Sequence, residues 1–444
     1  MKYKKGAVGI AISVATVLAL AACSSANNSS KATPVAGCPN GVVTLTVLRA
    51  QNNSPTDPQL DAYKASNKCV TFTVDEVPFG NLASKIAVLA PSSNPPDIIG
   101  FDAPQTASYA SQGFLLPFDT YLPSSWSSDV TSATKSEETW NGKVYSPGNE
   151  QDTLSLYYNK KLTDAAGIKP PTTLEAAWTW PQAQAAMLQC QKAATAAAGS
   201  TVYGLAPSRL GNGTPGFSYR DELFLRSEGD PNAPKTSSSY KTFWALSTDG
   251  KTVDGWLNTP EAIKGATFYQ NLFQGPNAVT SKTGLPNALI NGKACFDLEV
   301  SSNAITLQKA GVDFGMTPTP HFVTPIVHTG AVAIGVAARS QHTALAAKAV
   351  IGMDSGAQYL QWAKANVRIP VLKSTTKQMP ALSQFPLIIP VQEIEKWGQP
   401  RPPGPHFSAY DVYVTSALKD IAYGADPKTA LDKAVSGLDP ILSK

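Results

Sequence analysis

Three carboxylates stand where they could do chemistry: Glu150 and Asp152, two residues apart ahead of an alternating run, and Glu299 at the end of another. Two such groups flanking a glycosidic bond can share the acid and nucleophile or base roles of glycoside hydrolysis. The same groups can instead accept hydrogen bonds from the hydroxyls of a ligand that leaves unchanged. The other catalytic signatures are missing: there is no His-Glu-x-x-His, no Gly-x-Ser-x-Gly and no Gly-x-x-x-x-Gly-Lys-Ser/Thr, and the four histidines are not at ligand spacing. The expectation is a protein that is not an enzyme, with no metal and no cofactor. Lone His328 reads as a structural histidine.

The elements that must position these groups follow from periodicity. Thr153 to Tyr158 alternates as a strand does, Asn159 opens a short helix that Gly167 ends, and Pro170-Pro171 stops it. Thr179, with Pro181 in the first turn and Gln182 three residues on, starts the next helix. Val42 to Leu48 and Val70 to Val77 are β-branched runs around a helical stretch from Pro58 to Ser66, a βαβ unit, and Asp97 to Phe101 is a third strand. Ligands of open α/β sheets bind beyond the carboxyl ends of the strands. That places Gln51, Asn52, Phe101, Asp102 and Gln105 at one cleft edge. Later in the chain, a Gly/Pro-rich loop carries Arg209, a turn at Asp249-Gly250 precedes Trp256, and a helix is expected from Thr259 to Phe273. The proline-rich stretch Trp397 to Pro405 holds Arg401 and leads to Tyr410 and Asp411.

At 444 residues the chain exceeds what one hydrophobic core usually serves, so two lobes are expected. Hydrophobic content of 43% with 15% charged residues describes a globular protein with ample core. The net charge of +4 is concentrated at the start: without Lys2, Lys4 and Lys5, 33 basic residues face 32 acidic ones. No basic footprint for nucleic acid remains.

The order of motifs in the middle of the chain resembles the bacterial solute-binding proteins of ABC importers. The residues that carry it are "PDIIGFDAPQTASYASQGFLLPFD", then "LYYNKKL", "AGI" and "PPTT" with a tryptophan after them, "NGKACFDLE", and "PRP" ahead of a final amphipathic helix. The likeness is to the family 1 sugar-binding lipoproteins, of the maltose/trehalose-binding type. It implies a type II periplasmic-binding-protein-like α/β fold, each lobe a mixed sheet flanked by helices, with the ligand cleft between. It further implies lobe one at 38–151 and 331–375 and lobe two at 152–330 and 376–444. Chain crossovers would fall near Asp152, Gly330 and Lys377, and Gly330, Arg368, Arg401, Tyr410 and Asp411 would join the carboxylates in the cleft. The ligand would be a mono- or oligosaccharide and the partners ABC permease subunits, the receptor itself being a monomer. Two other readings remain open: an extracellular glycan-processing enzyme, and a peptide or polyamine receptor on the same fold.

Residues 1–22 have a lysine-bearing start, an apolar run from Ala7 to Leu18 and small residues before Cys23, the form of a secretion signal. Leu20-Ala21-Ala22-Cys23 matches the bacterial lipobox. It implies lipidation of Cys23, a two-chain anchor on the cell membrane and a flexible tether over 23–37. Four cysteines then remain in an oxidising compartment, with three possible connectivities. Cys38 and Cys69 precede parallel strands of one βαβ unit and so share a sheet edge, which favours their pairing. Cys190 and Cys295 are left either to pair or to stay as buried thiols.

Overall fold

Two four-stranded sheets carry the protein, and each mixes parallel with antiparallel pairs. The structure is a computed structural model describing residues 37–39, 41–51, 53–207, 215–330, 332–354 and 356–444. The leader, Cys23, Asn52 and Arg209 lie outside the described residues.

The first sheet has the order Val332–Val336, Ile98–Asp102, Val43–Ala50, Val70–Val77. Val43–Ala50 runs parallel to both neighbours, as the βαβ reading requires. Helix Asp57–Ser66 makes the crossover, its start fixed by Gln59, whose side chain accepts the Thr56 N–H at 2.8 Å. With that helix on one face and Phe79–Leu89 on the other, the central strands are covered on both sides and read as apolar runs. Cys38 and Cys69 meet at the expected edge and are bonded.

The second sheet has the order Phe314–Thr317, Leu154–Asn159, Ala294–Val300, Tyr203–Leu205. Leu154 to Tyr158 is buried throughout. Helices Trp180–Ala198, Pro260–Asn271, Phe407–Tyr423 and Pro427–Leu442 pack on one core cluster of this sheet, while Tyr157, Met316, Trp362 and Ile394 belong to another. Thr179 caps Trp180–Ala198 by accepting the Gln182 N–H, and Gly199 closes it in the left-handed conformation. Cys190 on that helix is bonded to Cys295 on the central strand.

Short ladders tie the chain where it passes between the sheets. Glu150–Gln151 pairs with Ile369–Pro370, Val327–Thr329 pairs with Gly398–Pro400, and a single bridge joins Thr153 to Thr329. Among the described residues, no helix is long and apolar enough to cross a membrane.

Candidate functional site

Beside these ladders lies a cavity of about 660 Å³, lined by three chain segments. One wall is the helix Ser132–Glu137 with the hairpin after it, the second is the helix Ser238–Trp244 with its loop, and the third is the stretch from Gly398 to Pro405. The hairpin pairs Thr139–Trp140 with Lys143–Val144 across Asn141 and Gly142, both at positive φ. Asn-Gly is the preferred pair for such a tight turn, and here it presents Trp140 at the cavity. Tyr240 and Trp244, which also line it, are one helical turn apart with ring centroids 6.1 Å from each other. Ser132, Ser136, Asn141, Ser247 and Gln399 add neutral hydrogen-bonding groups. Of the lining residues among those described, Asp249 alone carries a charge. The Ser247 hydroxyl and the Lys251 N–H bond its carboxylate and hold its pKa low, in the turn expected at Asp249-Gly250.

Two of the lining segments each continue into a buried charged side chain. Arg401, between the lining residues Pro400 and Pro402, donates from Nη2 to both oxygens of Asp102 at 2.8 and 2.9 Å. Its guanidinium lies 4.8 Å from the Tyr219 ring centroid and 5.2 Å from that of Phe407. Burial works against this charge, but Asp102 and Asp411 outweigh it and raise the Arg401 pKa. Glu137, the last residue of the lining helix, is 3% exposed, with the Thr329 and Gln151 side chains beside its carboxyl. Burial lifts its pKa to about 8, Arg401 opposing and Asp102 adding. Neighbouring Glu138 is held well above its ordinary value by burial and then by Glu137.

His328 belongs to the framework. The Arg226 guanidinium can only donate, so His328 Nε2, 2.8 Å away, accepts, and Nδ1 carries the proton toward the Tyr219 carbonyl at 2.9 Å. Burial, with Arg226 next, keeps its pKa well below the usual value.

The other expected site residues divide. Asp102, Gly330 and Arg401 come together, with Gln105 accepting a hydrogen bond from Ser408 at 2.9 Å and Asp411 accepting one from Ser218 close by. Phe101, by contrast, is 1% exposed and packs edge-on against Tyr109, because its strand is buried on both faces. Tyr410 lies on the inner side of its helix, its hydroxyl bonded to Glu222. Glu299 is buried in the central strand opposite Ser155. Glu150 is buried with Arg368 at 3.4 Å, and burial raises its pKa to about 7. Trp256 is half-buried against Tyr240 and Lys241 and does not line the cavity. Gln51 is exposed at its strand end. The Asp152 carboxylate accepts from the Thr153 and Ser302 N–H groups and from the Ser301 and Ser302 hydroxyls, which fixes the start of the turn Ser301–Asn303. Phe101, Tyr410 and Glu299, expected at the cleft, are packed in the interior, and Trp256 lies off the cavity lining. Trp140, Tyr240, Trp244 and Glu137 were not among the expected residues. The Asn-Gly pair after Trp140 and the four-residue spacing of Tyr240 and Trp244 were the available signals.

The family described as bacterial extracellular solute-binding protein matches residues 59–386. A binding protein of Brucella abortus (strain 2308) is 24% identical over 238 residues, 52% of this chain and 50% of that protein, so the chain spans about half the length of the curated relative it matches. The structure of an ABC transporter solute-binding protein from Thermotoga lettingae TMO, bound with alpha-D-tagatose, superposes with a TM-score of 0.72 at 16% identity, over 90% of this chain and 99% of that one. The cyclic alpha-maltosyl-1,6-maltose binding protein of Arthrobacter globiformis does so with a TM-score of 0.70 at 22% identity, over 91% and 100%. The shared feature is the two-lobed α/β fold.

Proposed function

Because the chain belongs to the bacterial extracellular solute-binding protein family, we propose that it is the receptor of an ABC importer that takes a mono- or oligosaccharide between its lobes and passes it to the permease subunits. In this reading lobe one comprises 38–151 and 331–375, and lobe two comprises 152–330 and 376–444. A lipid on Cys23 holds the monomeric receptor outside the cytoplasm. The ligand touches both lobes only when they close about the crossover segments, so binding and closure are one equilibrium.

The observation that carries the sugar reading is the aromatic lining, Trp140 from the hairpin and Tyr240 with Trp244 from the helix Ser238–Trp244, amid neutral hydrogen-bonding groups. Flat apolar faces with a few polar partners suit a sugar ring. A polyamine would call for several carboxylates, and Asp249 is the only one lining the cavity among the described residues. The ligands named for the similar structures, alpha-D-tagatose and a cyclic maltosyl-maltose, lend support. A glycosidase needs two carboxyl groups flanking the bond, whereas Glu150, Asp152 and Glu299 do not line the cavity.

A ligand that binds only the folded state raises the melting temperature. A thermal-shift panel of mono- and oligosaccharides, with polyamines and peptides alongside, should give its largest shift with a saccharide, recovered uncleaved by chromatography. A shift confined to polyamines or peptides, or a cleaved glycan, would refute the reading.

A further inference from the structure

A second cavity, of about 350 Å³, lies against the ladder that pairs Glu150–Gln151 with Ile369–Pro370, and among the described residues it shares no lining residue with the aromatic one. Its volume falls in the range of small-molecule sites, about 300 to 1,000 Å³. The helix Ile388–Trp397 gives it Ile388, Val391, Gln392 and Glu395, whose spacing puts them on one helical face. Ile389, off that face, is fully buried in the core. Ile369 and Leu382 continue the apolar wall. No aromatic residue lines this cavity among the described residues, which sets it apart from a saccharide site.

Two cations stand at the same cavity. Lys373 and Lys377 line it from the short helix Lys373–Thr376 and the residue after it, and a separation of four residues places their like charges on one side of the turn. Neither lysine makes an ion pair or a hydrogen bond with another described residue. The turn that carries them is nonetheless fixed. Asp129 accepts the Ser374 N–H at 2.9 Å, and Thr376 donates to the Pro370 carbonyl at 3.3 Å, which ties the turn to the ladder. We propose that this cavity is a second ligand site, one that takes a small amphipathic carboxylate, its head group on Lys373 and Lys377 and its alkyl body along Ile369, Leu382, Ile388 and Val391.

The charges at the lining decide the head group. Glu395 is the one acidic residue there among those described, so two cations face one anion. Glu395 is exposed to water, whereas Lys373 is half-buried, and a charge partly removed from water interacts more strongly with a ligand charge. A carboxylate between the lysines also relieves their mutual repulsion, as an ammonium cannot. The apolar wall then covers a hydrocarbon body and not a second polar group. The site does not depend on the saccharide reading, and either can fail alone.

Hexanoate, hexanol and hexylammonium share one alkyl body and differ in the head group. Calorimetric titration into the sugar-free protein should show hexanoate binding at least about tenfold more tightly than hexanol, the gain from hydrogen bonds to a charged group, with hexylammonium weakest. Each methylene removed on the way to butyrate should weaken binding by up to about fourfold. Lys373→Gln should erase the preference for hexanoate over hexanol, and Val391→Phe, which fills the cavity, should weaken both. Trp140→Ala, at the aromatic cavity, should leave hexanoate affinity within about twofold of the parent. No detectable hexanoate binding at millimolar concentration overturns the inference. Equal affinity for hexanoate and hexanol does so too, as does a hexanoate affinity that Lys373→Gln leaves unchanged or that Trp140→Ala abolishes. A lowered melt of Val391→Phe leaves the decision to Lys373→Gln, whose side chain has no described partner to lose.

Discussion

Arg401 bonds Asp102 through one nitrogen, and that contact ties the carboxyl end of the strand Ile98–Asp102 to the proline-rich stretch after Gly398–Pro400, 299 residues away in the chain. The arginine is almost wholly buried, while Asp102 keeps 26% of its side chain exposed. Such a pair adds little net stability over a well-packed apolar pair, yet losing one partner strands the other charge. Asp102→Asn should therefore lower unfolding stability by about 3 kcal/mol. A urea titration would show the midpoint fall with little change in slope. An unchanged midpoint would mean Asp411 alone compensates Arg401.

The buried carboxyls give stability an inverted pH dependence. Glu137 is raised to about 8, and Glu150 and Glu393 to about 7, each mainly by burial. Between the ordinary glutamate value and these raised ones, the folded protein holds protons that the unfolded chain has released, so stability falls as pH rises. His321 and His328 are lowered and act in the opposite sense, but only below about pH 6.5, where the unfolded chain takes up their protons. From pH 6.5 to 8 the carboxyls act unopposed by the histidines. The fall across that window should be on the order of 2 kcal/mol, read as a lower urea midpoint at pH 8 than at pH 6.5. In Glu137→Gln much of this slope should vanish.

The fold was legible where the signal is local. Thr179 with Gln182 marked a helix start because a capping box is a short-range hydrogen-bond pattern, and Cys38 with Cys69 paired because parallel strands bring both to one edge. Side-chain direction was not legible. Phe101 and Asp102 are adjacent at a strand end, yet one enters the core and the other reaches Arg401, since successive residues of a strand face opposite sides. Glu137 sits in the sequence Ser-Glu-Glu and reads as a solvated helix end. Only packing against segments nearly 200 and more than 260 residues away, around Gly330 and Arg401, buries it.

Asp152 was expected to anchor ligand, and its hydrogen bonds argue for another role. Four donors from Thr153, Ser301 and Ser302 already bind its carboxylate, as a cap binds the first turn of a helix. Asp152→Ala should lower stability by about 1 to 2 kcal/mol, the range for removing a cap. Binding of the cognate saccharide should change by less than about threefold. Normal stability with tenfold weaker binding, from a melt and a calorimetric titration on the same variant, would restore the ligand-contact role.

The aromatics that line the cavity give its sharpest test. Trp140 is half-buried on a two-stranded hairpin, so truncating it removes ligand surface without opening the core. Trp244 also lines the cavity, but its ring meets Phe243 at 5.2 Å, and truncation there disturbs the packing of its helix as well. An aromatic anchor at the centre of a binding surface is worth about 2 kcal/mol or more, roughly thirtyfold in affinity. Trp140→Ala should therefore weaken saccharide binding by about that factor and leave the unliganded melt nearly unchanged. Trp244→Ala should weaken binding similarly and also lower the melt. Trp256→Ala supplies the control, because its ring touches Tyr240 and Lys241 but does not line the cavity. Its affinity should stay within about threefold of the parent. Equal losses for Trp140→Ala and Trp256→Ala would place the ligand outside this cavity. Tryptophan fluorescence titrations of the three variants, read beside their melts, separate the outcomes.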